Sequence, residues 1–234
     1  MRREQWEELS TELADMARTL LRQKTVQDTL DQIVRHTVAL VSGCEDAGVL
    51  VVRGKWDVRS LAATSERVLH SDHLQQEAGQ GPCFDAYRRR SEVYRIADMS
   101  ADADRWPRYA PKARELGISS VMGFLLFTDE HTLGALDLYS SRPHAFTEDS
   151  EKVGWLLASH AAVAFAGART SAQLSEALEA RGEVGEALGI VMERYKVGEE
   201  QAFAVLRKSS QDQNVKLRDV ARAVVRTGEI PGSR

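Results

Sequence analysis

Two kinds of hydrophobic spacing divide this chain. Its middle contains short apolar runs rich in β-branched residues, and its last third contains apolar positions at helical spacing. Turn-forming residues join the short runs in two pairs, at Arg53–Trp56 and around Asp129 and Glu130. Each pair predicts a β-hairpin, and two hairpins predict an antiparallel sheet. The runs are 47–52, 58–63, 121–127 and 133–139.

Helical spacing is present on both sides of the predicted sheet. Trp6–Leu21 and Val26–Leu40 precede the sheet, and Glu151–Ala168 follows it after a capping region at 147–149. A sheet covered by helices is an α+β layer. A chain of 234 residues permits two domains, and the change of spacing near Thr147 marks the end of the first.

The last quarter of the chain predicts a second, all-helical unit. Apolar residues recur at helical spacing on both sides of a turn at 211–215, and an earlier helix ends near Tyr195. We therefore predict a three-helix bundle that turns its charged residues to solvent. The residues expected in its core are Ile190, Val191, Met192, Phe203, Leu206, Leu217, Val220 and Val224.

Charge sets this unit apart from the rest of the chain. The whole chain carries a formal charge of −4, whereas the segment from Arg194 to Arg226 contains eight basic and four acidic residues. Glu199 and Glu200 lie where a helix would begin, so the helix dipole accounts for them. The basic surface fits a polyanionic partner, but a solvated face is an equally ordinary explanation, and composition does not decide between them.

Several spaced motifs give this unit a more specific interpretation. The elements G-I-x-M-x-R, E-x-A-F-x-x-L-R and K-L-R-D-V-A, between Leu174 and Arg226, resemble the ANTAR domain of transcription antitermination regulators. The resemblance implies binding of paired stem-loops in nascent transcripts, with cations on phosphates and polar side chains on loop bases. Members of that family usually carry a lysine at Leu188, so this chain either binds RNA more weakly there or uses Leu188 in a dimer seam. The candidate RNA-binding residues are Arg194, Arg207, Lys208, Gln211, Asn214, Lys216 and Arg218.

An apolar stripe precedes the bundle. It runs through Leu174, Leu178, Arg181, Val184, Leu188 and Val191, with only Arg181 polar. This spacing predicts a homodimer through a linking helix, although an amphipathic helix packing on its own domain would show the same stripe. Gly182, Gly185 and Gly189 weaken the same helix and suggest a hinge that carries a signal to the bundle.

The order of strands and helices in the first domain, together with GQGPCFDAYRRRSEVYRIADM and LGALDLYSSRPHAFTEDS, resembles a GAF domain of actinobacterial regulators. The resemblance implies a sensor of an unknown small ligand or of a redox signal. The expected pocket lies under the segment 70–109, and its candidate residues are Cys83, Trp106 and Tyr109. His70 and His73 lack further ligands at metal spacing, so we expect solvated loop histidines and no metal.

The sequence leaves the reactivity of the Cys83 thiol open. A helix that begins near Phe84 would acidify its thiol and favour oxidation, whereas a buried cysteine would be inert. Cys44 is its only possible disulfide partner. A GAF fold with cysteines also resembles methionine sulfoxide reductases, but such an enzyme would not need the basic bundle, and we expect no enzyme activity. A third possibility is a dimeric signalling adaptor whose bundle has lost RNA binding.

These observations predict a cytoplasmic regulator without a cofactor. No secretory signal or membrane span is visible in the sequence. We expect an N-terminal helix at 1–24, a GAF sensor domain at 25–168, an ANTAR domain with its linking helix at 169–227, and a disordered tail at 228–234.

Overall fold

A computed structural model of the chain describes residues 3–53, 57–89, 92–127 and 132–232. The chain divides into two compact units, Met1–Arg169 and Thr170–Arg234. The turns of the two predicted hairpins lie largely outside the described residues. The strands are β1 (Asp46–Arg53), β2 (Asp57–Ala63), β3 (Val93–Ile96), β4 (Ser120–Phe127) and β5 (Thr132–Ser140). The helices are α1 (Arg3–Leu21), α2 (Val26–Leu40), α3 (Glu66–Ala78), α4 (Pro82–Arg89), α5 (Ala110–Glu115), α6 (Glu148–Tyr195), α7 (Glu199–Gln213) and α8 (Leu217–Thr227).

The first unit is built on a five-stranded antiparallel sheet in the order β2-β1-β5-β4-β3. The two predicted hairpins are β1–β2 and β4–β5, and the short edge strand β3 is an addition that the apolar runs did not reveal. Helices cover the sheet on both faces. The predicted α+β class, with a long helix and a helical bundle after the sheet, is confirmed.

Apolar packing differs between the two faces of the sheet. On one face, α1, α2 and the start of α6 bury the main core, which includes Met16, Ile33, Leu136 and Leu157. The other face is covered by the long connection from β2 to β4, where α3, α4 and α5 lie. This second layer contains Trp106 and Tyr109 together with several buried polar side chains. A helix near Phe84 was predicted and corresponds to α4, whereas α3 and α5 lie in a connection that was otherwise expected to be loop and are a correction to the sequence interpretation.

The second unit is a bundle of the C-terminal part of α6 with α7 and α8. Small residues on all three helices, Ala187, Ala202 and Ala221, are fully buried. They allow close approach of the helices, and Leu206, Val220 and Val224 fill the remaining space. The predicted three-helix bundle is therefore present, and its core is richer in alanine than the sequence interpretation expected.

Two expectations for this bundle need correction. Phe203 was expected in the core, yet its side chain is 39% exposed because the buried positions of α7 are Ala202, Leu206 and Ser209. The described part of the expected disordered tail is ordered by contacts. Ile230 is buried in the bundle core, and Ser209 donates a hydrogen bond to the carbonyl oxygen of Pro231 at 2.7 Å.

The three glycines of the predicted hinge lie inside α6, which continues without a break from Glu148 to Tyr195. A side chain at Gly182, Gly185 or Gly189 would meet no atom within 4 Å. Packing therefore does not require glycine at these positions. A role in signal transfer remains a hypothesis, tested by alanine at Gly182 and Gly185.

Ile230 provides a test of whether the segment after α8 packs in the bundle core. Truncation of Ile230 to alanine should lower the free energy of unfolding of the bundle by about 2 kcal/mol, because it removes a buried aliphatic side chain. Thermal unfolding followed by circular dichroism measures this effect. The matched control is Val225→Ala on the exposed side of α8, and an equal loss in both variants would contradict burial of Ile230.

Candidate functional site

Four of the predicted RNA-binding residues share the solvent face of α7. Arg207, Gln211 and Asn214 follow one another at spacings of four and three residues, and Lys208 flanks them. All four are exposed, on the side opposite the buried Ala202 and Leu206. Within the described part of the chain, neither Arg207 nor Lys208 forms an ion pair. The face is therefore open to a partner.

The turn after α7 places Asn214 and one further candidate, Lys216. Asn214 ends α7 in the left-handed conformation, with φ of 53°, and its backbone N–H donates to the carbonyl oxygen of Gln211. Lys216 is the residue before α8 and is exposed. Polar and basic side chains thus continue from α7 across the turn to the start of α8. We call the set Arg207, Lys208, Gln211, Asn214 and Lys216 the α7 face.

The structure separates Arg194 from the α7 face. Its guanidinium group donates to the carbonyl oxygen of Gly228 at 2.6 Å and lies 3.5 Å from the carboxylate of Glu229. Gly228 caps the end of α8 in the left-handed conformation. Arg194 therefore holds the carboxyl end of α8, where cations are favourable.

Arg218 is likewise engaged within the bundle. It forms an ion pair with Glu176 of α6, and the neighbouring Arg222 binds both carboxylate oxygens of Glu183, at 2.9 and 3.1 Å. The bond from Arg218 holds the pKa of Glu176 below its ordinary value. The sequence interpretation placed Arg218 and Arg222 in solvent and did not identify these two glutamates as their partners.

The apolar stripe of α6 divides into two parts. Val184, Leu188 and Val191 pack against the core of their own bundle, whereas Leu174 and Leu178 are 60% and 61% exposed. Leu188, at the position of the departure from the family pattern, is partly buried in that core. Its apolar character therefore has a packing role within one chain.

In the first unit, the expected pocket residues are parts of a packed layer. The Trp106 and Tyr109 rings meet edge to face with centroids 6.4 Å apart, and both side chains are buried. Cys83 lies in the first turn of α4 and is also buried. His70 and His73 are exposed as expected, but they lie on α3 rather than in a loop.

Four residues that are aligned across neighbouring strands form a polar site beside Cys83. The register places Asp137 of β5 between Gly48 of β1 and Gly123 of β4, and Tyr94 of β3 lies opposite Gly123. A Cβ atom on Gly123 would overlap the Tyr94 ring. The missing side chain therefore lets the Tyr94 hydroxyl reach across β4 and donate to Asp137.

Two carboxyl groups are buried in this polar site. Asp137 accepts hydrogen bonds from Tyr94 and from the thiol of Cys83, whose Sγ is 2.9 Å away. Asp72 of α3 accepts from Ser60 at 2.5 Å and from Tyr139 at 3.2 Å. All four donors are neutral. We call Asp72, Asp137 and these four donors the buried acid cluster.

Burial, with no cationic partner among the described residues, changes the acid–base properties of the buried acid cluster. Desolvation raises the pKa of Asp72 to about 7 and that of Asp137 to about 6. The same burial, together with the negative charge of Asp137, raises the pKa of the Cys83 thiol well above its ordinary value. Of the two alternatives for Cys83, acidification by α4 is therefore not supported and the buried, inert cysteine is, because the protonated thiol is a weak nucleophile.

Two other side chains, Gln75 and Tyr94, contact Cys83. The Gln75 side chain donates to the Cys83 sulfur and accepts from the Cys83 backbone N–H, each at 3.1 Å. A surface pocket of about 160 Å³ is lined by Tyr94, Trp106 and the ion-paired Asp85 and Arg105, among others. Tyr94 thus lines a surface pocket and also donates a hydrogen bond to the buried carboxylate of Asp137.

Some ordinary kinds of site were not found in the part of the chain that the structure describes. Cys44 and Cys83 are free cysteines, and burial raises the pKa of Cys44 to about 12. Among the described residues, no group of three or more histidine, cysteine or acidic side chains is placed to hold a metal ion. No described helix combines the length and apolar character needed to span a membrane.

Sequence reasoning missed the most unusual residues of the first unit. Asp137 is a single acidic residue inside the apolar run of β5, and that anomaly is a signal that a sequence can show. Asp72 carries no such signal, because it lies in a helix rich in polar residues. Its burial depends on how α3 packs on the sheet.

The buried acid cluster predicts an unusual dependence of stability on pH. Because the folded pKa values are raised above the ordinary value of 3.8, the carboxyl groups add stability below about pH 4. That contribution is lost as pH rises through about 6 to 7. Asp72→Asn should therefore reduce the decline in melting temperature of the first unit between about pH 5 and pH 8.

The matched control for this experiment is Asp104→Asn, which changes an exposed aspartate. Differential scanning fluorimetry of both variants and of the parent chain across that pH range provides the measurement. A decline that is unchanged in Asp72→Asn would contradict a protonated Asp72 in the folded state.

Comparison with known proteins agrees with the two-unit architecture. A GAF domain model matches residues 23–166, and an ANTAR domain model matches residues 172–225. No curated protein matches the chain. The similarity of this chain to individual known proteins is therefore at the level of solved structures.

The solved structures share the fold at low sequence identity. The GAF domain of a phosphoenolpyruvate-protein phosphotransferase from Acinetobacter is 16% identical with a TM-score of 0.54, over 73% of this chain and 97% of that chain. Its counterpart from Coxiella burnetii is 18% identical with a TM-score of 0.55, over 70% and 96%. A bacteriophytochrome chromophore-binding domain from R. palustris is 10% identical with a TM-score of 0.52, over 70% of this chain and 63% of that chain, so this chain spans less than two thirds of it. Taken with the family models, the chain belongs to the GAF domain family and carries an ANTAR domain after its GAF domain.

Proposed function

We propose that this protein is a signal-responsive, RNA-binding transcription antiterminator. Its architecture is that of a GAF-regulated ANTAR regulator, and both domains are of regulatory, non-catalytic types. The ANTAR domain would hold paired stem-loops of a nascent transcript and so prevent formation of a competing terminator. The observation that supports this proposal best is the α7 face, where cations and amides share one exposed surface.

The chemistry of the α7 face suits folded RNA. Arg207, Lys208 and Lys216 can contact phosphates, which gives affinity but no sequence information. Gln211 and Asn214 lie among them and can hydrogen-bond to unpaired loop bases. A surface that combines both kinds of group favours stem-loops over uniform duplex.

The GAF domain is proposed to sense a small ligand or a redox signal near Cys83, Trp106 and Tyr109. The surface pocket beside Tyr94 and Trp106 offers a point of entry. Burial and the raised pKa of Cys83 disfavour direct oxidation of its thiol, so we prefer a small ligand. The same protonated thiol also disfavours a methionine sulfoxide reductase, which would need a reactive cysteine.

Homodimerisation through the linking helix is part of the proposal. Leu174 and Leu178 expose apolar surface on one side of α6, four residues apart, in the manner of a coiled-coil seam. Their exposure in a single chain favours a second copy of this helix as the partner. Paired modules would also match paired stem-loops.

The ion pairs of Arg218 and Arg222 favour a second candidate, a dimeric signalling adaptor that has lost RNA binding. These pairs, together with the capping role of Arg194, reduce the number of cations available to RNA. The α7 face argues for the antiterminator, because Arg207 and Lys208 have no described acidic partner. A measurement of RNA binding therefore distinguishes between the antiterminator and the signalling adaptor.

The first test concerns the α7 face. Arg207→Glu with Lys208→Glu in the full chain should weaken RNA binding by about tenfold or more and reduce the salt slope of binding by about two, because two phosphate contacts are lost. The probe is a two-stem-loop RNA transcribed in vitro from a sequence that is crosslinked to the protein in cells. Binding is measured by fluorescence anisotropy at several salt concentrations.

The control for this test is Arg22→Glu with Arg35→Glu, an identical charge change at exposed positions of the first unit. Equal binding by the α7 variant and this control would contradict the proposed RNA-binding face. The absence of any crosslinked RNA would favour the signalling adaptor.

The second test concerns the dimer. Leu174→Glu with Leu178→Glu should shift the protein from dimer to monomer in sedimentation equilibrium, because paired helices would bring these charges together. Gln173→Glu with Ser175→Glu is the matched control on α6. A parent chain that sediments as a monomer at the same concentration would contradict the dimer.

A further inference from the structure

Two glutamates of α6 form ion pairs with two arginines of α8. Glu176 and Glu183 are seven residues apart, two helical turns, and therefore lie on one side of α6. Their partners Arg218 and Arg222 are four residues apart on α8. Each glutamate binds one of the two arginines, so α6 and α8 form two successive ion pairs within the bundle.

The geometry of these pairs is specific. Arg222 contacts both oxygens of Glu183, which is the strong arrangement for a guanidinium and a carboxylate. Arg218 is half-buried, and within the described chain its Nε atom has no hydrogen-bond partner and lies 4.0 Å from a carboxylate oxygen of Asp219, while another of its nitrogens binds Glu176. Arg218 thus keeps donor capacity that Glu176 does not satisfy.

The same glutamates are not needed to hold the bundle together. Val220, Ala221 and Val224 anchor α8 through the apolar core. Glu176 is exposed, and an exposed ion pair contributes little to stability because water screens the two charges. Contacts of this strength are open to exchange with an incoming phosphate group.

We propose that Glu176 and Glu183 compete with RNA for Arg218 and Arg222 and thereby lower the RNA affinity of the bundle. This inference rests on the RNA binding proposed above and concerns the regulation of that same surface. When RNA binds, its phosphates replace the two carboxylates on the arginines. A change in α6 that moves its acidic side away from α8 would free two cations and strengthen binding.

Glu176→Gln with Glu183→Gln in the full chain tests the competition. We expect binding of the two-stem-loop RNA to tighten by about threefold to tenfold, since one exposed and one partly buried ion pair no longer compete with the RNA phosphates. The salt slope should become steeper by about one to two, because the freed arginines then exchange solution anions on binding. Glu8→Gln with Glu186→Gln removes the same charge from exposed positions without described partners and serves as the control.

A second set of variants separates competition from general electrostatics. Arg218→Gln with Arg222→Gln, added to the glutamine variant, should cancel the gain, because the freed cations are then absent. Circular dichroism and the melting temperature should be close to those of the parent in all variants.

The outcomes distinguish the two proposals. A gain that exceeds the control and disappears with the arginines supports the competition. A gain no larger than the control, with RNA bound by the parent, overturns the competition and leaves the proposed function in place. Absence of RNA binding by the parent and by every variant overturns both.

Discussion

Close packing of three helices around alanine decides which side chains of the second unit can meet a partner. Ala187, Ala202 and Ala221 are fully buried, and each belongs to a different helix. Once Ala202 and Leu206 face the core, Arg207, Gln211 and Asn214 must face solvent, because the helical period fixes the angle between them. The same packing brings α8 beside α6, so that Arg218 and Arg222 meet glutamates instead of water. The functional surface is therefore a consequence of the apolar core.

A different constraint shapes the first unit. The central strand of its sheet carries Asp137, and a glycine lies on either side of it in the neighbouring strands. The space at Gly123 admits Tyr94, which together with Cys83 donates hydrogen bonds to the buried carboxyl group. Two buried acids without a described cationic partner are costly for a fold. Their raised pKa values make this side of the sheet sensitive to protons.

The two units divide the work of a regulator. The first provides a buried polar cluster next to a surface pocket, and the second provides an exposed basic face. Helix α6 contributes residues to each unit and carries Glu176 and Glu183, which pair with Arg218 and Arg222. In the mechanism that we propose, a change in the packing of α6 would reach these ion pairs and so alter RNA affinity.

The sequence by itself determined the class of fold, the hairpins, the three-helix bundle and the exposed residues of α7. Those features depend on local periodicity and on motifs within one element, which a sequence displays directly. It misplaced Phe203, because adjacent Ala202 and Phe203 fit helical spacing equally well and only the neighbouring helices select the smaller residue. It also overlooked Asp72, the partners of Arg218 and the packing of Ile230. Tertiary structure alone decided these, because each depends on contacts between residues far apart in the chain, whose distances no local pattern records.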